Sequence, residues 1–381
     1  MEGPVKGVEF LAELRKKGIK EKPNFRDLTK LLDQKARQKG IPISGQFELT
    51  PLCNLGCKMC YVHLTPEQLA GRSVLSVSEW KDLMTQAFQA GMFQASLTGG
   101  ECLAYPGFDE LYLYLHNLGC EINILTNGVL LDEKRIQFFR EHKPASIQIT
   151  LYGWNDDVYE RVTGKRVFET VVRNIRMALE AKLSVILSIT PSTYLGEDVL
   201  ETLRLAKSIC RNVIINPMIF KPREETGRAG EVADPNLDLY VKLYRLQDEL
   251  DGQEPREISP DKLPMPGGPC HSCTECGIKC GGGRSTFTVD WKGNLRCCDS
   301  LDTVQGHPLE EGFRTAWSRI NEWANKVPRV PECEGCAYEE ICPNCLAHVL
   351  IFAAPGKQPK GLCERTMYLV QNGVFQIPEC E

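Results

Sequence analysis

A regular alternation of short β-type segments and amphipathic helical segments most constrains the fold of this chain. The strand candidates begin with "QFELT", and in chain order they are residues 46–50, 94–98, 122–126, 146–152, 183–190 and 212–218. The helical segments between them lie near residues 76–92, 108–119, 131–141, 168–181 and 197–209. Such alternation predicts an α/β fold with a parallel sheet and helices outside it. Six units predict a partial, TIM-like (β/α)6 barrel rather than a closed eight-fold one.

Two helices have clear local signals. Ser76 and Glu79 are spaced as a capping box, and apolar residues follow them at helical spacing. Within residues 1–45, Asn24 is a candidate N-cap for a helix that ends at Gly40.

The composition changes after the alternation ends. The stretch "GQEPREISPDKLPMPGGP" is rich in proline, glycine and charge, which is typical of a linker. Beyond it the chain carries most of its cysteines and little helical periodicity, so a small domain there needs metal for stability. The predicted regions are a helical extension (1–45), the barrel (46–240), a linker (241–269) and a small cysteine-rich domain (270–381).

Charge and hydropathy exclude several classes of protein. The net charge of the 381 residues is −5 and there is no long basic run, which argues against nucleic-acid binding. No stretch has the ~18 consecutive apolar residues that span a bilayer, and the start has no signal-peptide core. We therefore expect a cytoplasmic protein without a membrane segment. In that reducing compartment its 18 cysteines favour metal ligation over disulfides.

The first cysteine cluster, "LCNLGCKMC", directly follows the first strand candidate. Cys53, Cys57 and Cys60 have the spacing C-x3-C-x2-C. Three thiolates are one short of a closed zinc site or a fully ligated [4Fe–4S] cluster, so one iron of a cluster would stay open. The alternative is a zinc site completed by His63.

Polar residues also follow the next strand candidates, where barrels place their chemistry. "TGGEC" contains Gly99 and Gly100, which allow close backbone approach to a ligand, and Glu101, which can pair with an ammonium group. Cys102 is interpreted as a buried free thiol.

A C-x3-C-x2-C motif after the first strand of a partial barrel resembles the signature of radical S-adenosylmethionine enzymes. The resemblance implies that the open iron binds the amino and carboxylate groups of S-adenosylmethionine. Reductive cleavage then gives a 5′-deoxyadenosyl radical that abstracts hydrogen from the substrate. The residue before the third cysteine is usually aromatic in this family, whereas here it is Met59, with Tyr61 two places later.

The same resemblance assigns cofactor contacts at the strand ends. The Gly99–Glu101 stretch would hold the amino group of S-adenosylmethionine. The segments "ILTNG", "QITLYG" and "LSIT" resemble family segments near the ribose and carboxylate, and they offer the hydroxyls of Thr126, Thr150 and Ser188.

The later cysteines resemble the seven-cysteine SPASM domain, which binds auxiliary [4Fe–4S] clusters. The resemblance implies two interleaved clusters. One is held by an upstream cysteine with Cys280, Cys298 and Cys345, and the other by Cys333, Cys336, Cys342 and Cys363. The upstream ligand is Cys273 or Cys276, with Cys273 favoured, and Cys270 is a spare thiol. The last pair is spaced C-x2-C where x3 is usual, and structural zinc is the alternative.

Two further residues are candidates near the substrate. Asp299 follows Cys298, and the resemblance to sulfatase maturases implies a catalytic base, while a loop aspartate that caps backbone groups is the alternative. Arg228 could pair with a substrate carboxylate or with a neighbouring acid.

The resemblance implies an oxidoreductase or maturase that acts on a ribosomally made peptide, forming a thioether, a C–C crosslink or an oxidised side chain. The alternatives are an enzyme of the same superfamily acting on a small molecule or a protein side chain, and a non-enzymatic metal-binding scaffold. The expected partners are a peptide substrate and a flavodoxin-like or ferredoxin-like reductant. Residues 1–45 are too few for a leader-binding module, so either a separate protein presents the peptide or the substrate is not a leader-bearing peptide.

Overall fold

The computed structural model describes residues 25–217, 219, 222–223, 226, 236–253, 280–328, 330–333, 336, 338, 341–342, 345–347 and 360–374. The predicted N-cap Asn24 lies outside these residues. Within them, no helix is both long enough and apolar enough to cross a membrane. No disulfide joins the cysteines in the described ranges.

A nine-stranded sheet organises the described chain. Its strands are β1 (Ser44–Glu48), β2 (Gln94–Thr98), β3 (Glu121–Thr126), β4 (Ser146–Thr150), β5 (Val185–Ile189), β6 (Val213–Ile215), β7 (Thr286–Val289), β8 (Leu295–Cys298) and β9 (Leu301–Gly306). The first six match the six predicted strands to within a few residues.

The strand order is β6-β5-β4-β3-β2-β1-β7-β8-β9. Neighbours from β6 to β1 are parallel, as the partial-barrel prediction requires. β7 is also parallel to β1, and Ser44 lies opposite Thr286, whereas β8 and β9 return antiparallel. The chain after the linker therefore continues the barrel sheet at its β1 edge, which the sequence alternation did not predict.

Helices cover the sheet between the strands. In chain order they are α1 (Phe25–Lys39), α2 (Pro66–Leu69), α3 (Val77–Ala90), α4 (Phe108–Asn117), α5 (Glu133–Glu141), α6 (Asp156–Thr163), α7 (Phe168–Glu180), α8 (Asp198–Ile209), α9 (Leu237–Leu250), α10 (Pro308–Glu311), α11 (Phe313–Lys326) and α12 (Lys360–Gln371). The predicted capping box of α3 is present. The Ser76 amide donates to Glu79 Oε2 at 2.8 Å, and the Glu79 amide donates to Ser76 Oγ at 3.3 Å.

The expectation of little helical periodicity after the linker is wrong for α11. Phe313, Ala316, Trp317 and Ile320 recur there at helical spacing and are all buried. The short helices α2 and α6 and the helix α9 were also not predicted. Their N-cap residues Thr65, Asn155 and Asn236 are the local signals that mark their starts.

Aromatic side chains join the barrel strands to the C-terminal strands. Phe47 of β1 meets Trp80 of α3 at a ring-centroid distance of 6.1 Å and Phe287 of β7 at 6.0 Å, both edge-on. Phe287 continues the contact to Phe313 of α11 at 5.0 Å. We call this row of packed rings the aromatic seam. A Cβ atom at Gly45 would lie 2.4 Å from the Phe287 ring, so the seam requires glycine at that position.

Replacing Phe287 by alanine tests this seam. The side chain is 2% exposed, so Phe287→Ala should lower the free energy of unfolding by about 3–5 kcal/mol through lost burial and a residual cavity. Phe88→Ala on α3 is the matched control, because Phe88 is 38% exposed, and it should cost less than about 1 kcal/mol. Chemical denaturation of both variants measures the difference. Equal losses of unfolding free energy in the two variants would show that the seam contributes no more to stability than an exposed side chain does.

Candidate active site

A cavity of about 260 Å³ lies at the carboxyl ends of the barrel strands. The first cysteine cluster and the ends of β2 to β5 form much of its wall. Among the residues that line it are Cys53, Cys57, Cys60, Gly99, Gly100, Thr126, Thr150, Ser188 and Asp299. The structure thus brings three predicted metal ligands, five predicted cofactor contacts and the candidate base to one cavity.

The loop that carries the three cysteines is fixed against the end of α6. The amides of Gly56 and Lys58 donate to the carbonyls of Thr163 and Val162, at 2.8 and 3.0 Å. A third bond, from the Leu64 amide to the Pro51 carbonyl at 3.1 Å, closes the loop. Main-chain contacts therefore help to set the positions of the cysteines.

The thiols lie in a setting that suits thiolate ligands. N–H groups point at two of the sulfurs: the Leu55 amide and Asn127 Nδ2 lie 3.4 and 3.5 Å from Cys53 Sγ, and the His63 amide lies 3.3 Å from Cys60 Sγ. Such hydrogen bonds to sulfur are typical of iron–sulfur sites, where they tune the cluster potential.

Burial is the largest influence on the pKa values of these thiols. It raises the pKa of Cys53 to about 12 and that of Cys57 well above its ordinary value. Within the described ranges, no three His, Cys, Asp or Glu side chains are close enough together to hold a single metal ion. The three thiols instead line a cavity wall, which fits a cluster whose thiolates bind different irons. His63 of the zinc alternative lines the same cavity.

The two glycines after β2 allow one backbone to approach another. A Cβ atom at Gly99 would lie 2.4 Å from the Thr50 carbonyl oxygen, and one at Gly100 would lie 2.3 Å from the Leu52 carbonyl oxygen. The Gly100 amide donates to the Thr50 carbonyl at 2.7 Å. The sequence suggested close approach to a ligand, but the immediate neighbour is the chain that leads into the cysteine loop.

The Glu101 carboxylate faces the chain and is not part of the cavity wall. Thr126 Oγ1 and the Leu103 amide donate to Oε1, at 2.8 and 3.0 Å, and the Asn127 amide donates to Oε2 at 2.8 Å. Burial raises its pKa, and these hydrogen bonds oppose the rise. In this arrangement the glutamate organises the end of β3. Cys102 is fully buried, as interpreted from the sequence.

Sequence reasoning missed several polar residues of the cavity wall. They are Gln46, Asn127, Gln148, Tyr152, Thr190 and Asn216. Gln46 and Gln148 share a signal that could have identified them: each lies within a barrel strand, two residues before its end, and so points to the same face as the strand-end residue. Tyr152 hydrogen-bonds the Cys57 thiol, and burial raises its pKa well above the ordinary value.

Asp299 enters the cavity from the β8–β9 turn. Its Oδ2 accepts from the Tyr61 hydroxyl at 2.5 Å and from Gln46 Nε2 at 3.4 Å, and its Oδ1 accepts from Ser300 Oγ at 3.0 Å. Burial, followed by the Asp299 charge, raises the pKa of Tyr61 well above its ordinary value. The tyrosine is therefore the proton donor in this contact.

Three of the later cysteines lie near one another. Burial is the largest influence on Cys298 and raises the pKa of its thiol, followed by the charges of Asp299, Cys345 and Cys280. Cys333 and Cys336 are joined by a 3.3 Å backbone hydrogen bond. Cys342 follows this pair in the chain, and Cys363 lies in α12. Cys270, Cys273, Cys276 and Arg228 lie outside the described residues, so the choice of upstream ligand stays open.

Comparison with known proteins decides the family. Residues 47–206 match the model of the Radical SAM superfamily. The chain contains a radical SAM domain. The matched residues begin in β1 and run to α8, so they contain the cysteine loop and most of the cavity.

Relatives of this radical SAM enzyme cover most of its length. The antilisterial bacteriocin subtilosin biosynthesis protein AlbA of Bacillus subtilis is 22% identical over 324 residues, 80% of this chain and 67% of AlbA. The AdoMet-dependent heme synthase of Methanosarcina barkeri is 25% identical over 328 residues, 81% of this chain and 92% of the synthase.

A solved structure shares the fold. Streptococcus suis SuiB, crystallised with its precursor peptide SuiA, superposes with a TM-score of 0.63 at 14% sequence identity. The match covers 94% of this chain and 88% of SuiB. The shared fold thus extends beyond the barrel into the cysteine-rich C-terminal part.

The glycine contact gives a test of the cysteine loop. Gly100→Ala should push the loop outward, because the new Cβ would lie 2.3 Å from the Leu52 carbonyl oxygen. We expect iron bound after anaerobic reconstitution to fall by about one cluster per chain. Gly56→Ala in the same loop is the control, because its nearest contact is an ordinary 3.6 Å. Equal iron contents in the two variants would contradict the proposed role of the contact.

Proposed function

We propose that this enzyme uses S-adenosylmethionine and a [4Fe–4S] cluster at Cys53, Cys57 and Cys60 to modify a peptide. The observation that carries the proposal is that these three thiols share one cavity with the strand-end residues of the barrel. When bound, the cluster and S-adenosylmethionine supply a 5′-deoxyadenosyl radical that abstracts hydrogen from a substrate C–H bond.

The residues of the chain would bind and orient the cofactor. The Gly99–Gly100 backbone and the hydroxyls of Thr150 and Ser188 line the cavity and offer polar contacts. The Thr126 hydroxyl donates to Glu101, so these two residues would act as a fixed pair that shapes the wall. Ser188 is 2% exposed, so a group bound against it is shielded from water.

Asp299 would act as the base of the site. Its carboxylate lines the cavity and accepts hydrogen bonds from Tyr61 and Gln46, which hold it in place. A carboxylate there could take the proton that leaves when a substrate radical passes its electron to an auxiliary cluster of the C-terminal part. The Tyr61 hydroxyl would hold the Asp299 carboxyl at one position in both its ionised and its protonated form.

Auxiliary clusters would occupy the C-terminal part. The charges of Cys345 and Cys280 help to raise the pKa of Cys298, which places the three thiols near one another and supports one cluster with an upstream cysteine as fourth ligand. Cys333, Cys336, Cys342 and Cys363 would hold a second. The regions 1–45, 46–240, 241–269 and 270–381 stay our proposed division of the chain. α9 crosses the second boundary and continues to Leu250, and β7–β9 extend the barrel sheet into the last region.

A peptide is the substrate class that the relatives favour. AlbA is named for the biosynthesis of a bacteriocin, and SuiB was crystallised with a precursor peptide. Modification would form a thioether or C–C crosslink, or oxidise a side chain. The reaction would also need an external flavodoxin-like or ferredoxin-like reductant and a separate leader-binding protein. The cysteine content supports a reducing, cytoplasmic compartment.

A small-molecule substrate is the second candidate. The heme synthase relative is matched over 92% of its length, and its name gives a product that is not a peptide. Mass spectrometry distinguishes the two classes. A change in the mass of a peptide encoded beside this gene supports the first, and turnover of a porphyrin precursor without peptide supports the second.

Release of 5′-deoxyadenosine tests the proposed chemistry. Reconstituted enzyme with S-adenosylmethionine and dithionite should release it, and Cys57→Ala should abolish release because one cluster ligand is lost. Cys120→Ala is the matched control, since this half-buried thiol lies outside the cavity wall, and it should release wild-type amounts. No release from fully reconstituted wild type would refute the proposal.

Iron analysis tests the number of clusters. Three [4Fe–4S] clusters correspond to about twelve iron atoms per chain, and Cys298→Ala should remove about four of them. Stoichiometric zinc in place of iron would support the structural-zinc alternative.

A further inference from the structure

A buried ion pair lies behind the cavity, at the end of β1. Glu48 is 1% exposed, and Arg223, in the segment after β6, places two guanidinium nitrogens 2.8 and 2.6 Å from its two carboxylate oxygens. The Arg223 side chain is 10% exposed. This is the bidentate geometry that makes an arginine–carboxylate pair both strong and directional.

The same arginine holds two residues of the cavity wall. Its NH2 group also donates to the Asp299 main-chain carbonyl at 2.7 Å. Its own amide donates to the Tyr61 carbonyl at 3.0 Å, and its guanidinium lies 5.6 Å from the centre of the Tyr61 ring. Arg223 therefore contacts the main chains of the two residues whose side chains form the 2.5 Å Tyr61–Asp299 hydrogen bond.

Stability alone is a weak reason for this arrangement. A buried ion pair gains little over an apolar pair of similar volume, because removing both charges from water offsets much of their attraction. A guanidinium has a feature that an apolar side chain and lysine lack. Its fixed fork can donate to a carboxylate and to a carbonyl in a different direction at the same time.

We propose that Arg223 is a positioning residue, which fixes the main chain of Asp299 and of Tyr61 so that the Asp299 carboxylate stays directed into the cavity. Glu48 serves as the anchor that orients the guanidinium. The inference rests on the proposed function for the role of Asp299 in the reaction. The positioning itself is a property of the chain and can be measured without substrate or turnover.

Two variants separate positioning from a simple ion pair. Arg223→Lys keeps the positive charge beside Glu48 but loses the fork that reaches the Asp299 carbonyl. Glu48→Gln removes the ion pair but keeps the guanidinium, which can still donate to the Gln amide oxygen and to Asp299. Hydrogen–deuterium exchange and the melting temperature are measured for both variants on the reconstituted enzyme.

The two readouts should rank the variants in opposite orders. Arg223→Lys should speed amide exchange of residues 299–301 by about tenfold or more, because a charge-assisted hydrogen bond is lost. Glu48→Gln should lower the melting temperature more than Arg223→Lys does. It should change the amide exchange rate of residues 299–301 by less than about threefold. A purely structural ion pair predicts the larger effect in Glu48→Gln for both readouts, and that result would overturn the proposal.

A matched control comes from the second buried arginine pair. Arg296 lies 2.7 Å from Asp290, and their side chains are 6% and 1% exposed. Arg296→Lys should lower the melting temperature and leave amide exchange of residues 61–63 at the wild-type rate. Arg223→Lys should raise the exchange rate of residues 61–63. Equal exchange of residues 61–63 in the two variants would contradict the specific role of Arg223.

If either single variant fails to fold, the double variant Glu48→Leu/Arg223→Met keeps the test decisive. It removes both charges together and should retain most of the stability. Positioning predicts fast exchange of residues 299–301 in this folded protein, and wild-type exchange there would overturn it. Absence of 5′-deoxyadenosine from wild type would instead refute the proposed function and leave the exchange results standing.

Discussion

The close approach of two main chains at the ends of β1 and β2 is the contact on which the site depends. Gly99 and Gly100 let the turn after β2 lie directly against residues 50–52. The hydrogen bond from the Gly100 amide to the Thr50 carbonyl then fixes the start of the cysteine loop. Because the loop is also fixed at α6, main-chain contacts direct its thiols to the cavity. The chain thus provides a preorganised site, which is what radical chemistry requires of its protein.

β1 is the element that connects the two parts of the molecule. It pairs with β2 on one side and with β7 on the other, and Phe47 packs against aromatic rings from both directions. Its last residue, Glu48, holds Arg223, which reaches the Asp299 carbonyl. The barrel wall of the cavity and Asp299, which the C-terminal part contributes to that wall, are therefore aligned through one strand. A shift of β7 relative to β1 would move Asp299 relative to the cysteine loop.

Local patterns predicted the local structure well. Strand–helix alternation placed six strands to within a few residues, because alternating burial is a property of neighbouring residues. The capping box at Ser76 marked the start of α3 for the same reason. The α11 pattern is also local, because Phe313, Ala316, Trp317 and Ile320 recur in the sequence at helical spacing. Glu101 is a different case: its residue type predicts an ammonium partner, which stays a prediction, and only the structure shows that its oxygens accept from the Thr126 hydroxyl and the Asn127 amide at the end of β3.

The sequence by itself determined the family-specific spacing of Cys53, Cys57 and Cys60, the parallel α/β barrel, and the strand ends where chemistry would lie. Only the tertiary structure decided that β7–β9 continue the barrel sheet, and that Arg223 joins Glu48, 175 positions away, to Asp299, 76 positions away. The physical reason is that ligand spacing and hydrophobic period are set within a few residues of chain. A strand edge or a buried arginine can be satisfied by any suitable partner, and folding of the whole chain selects which one.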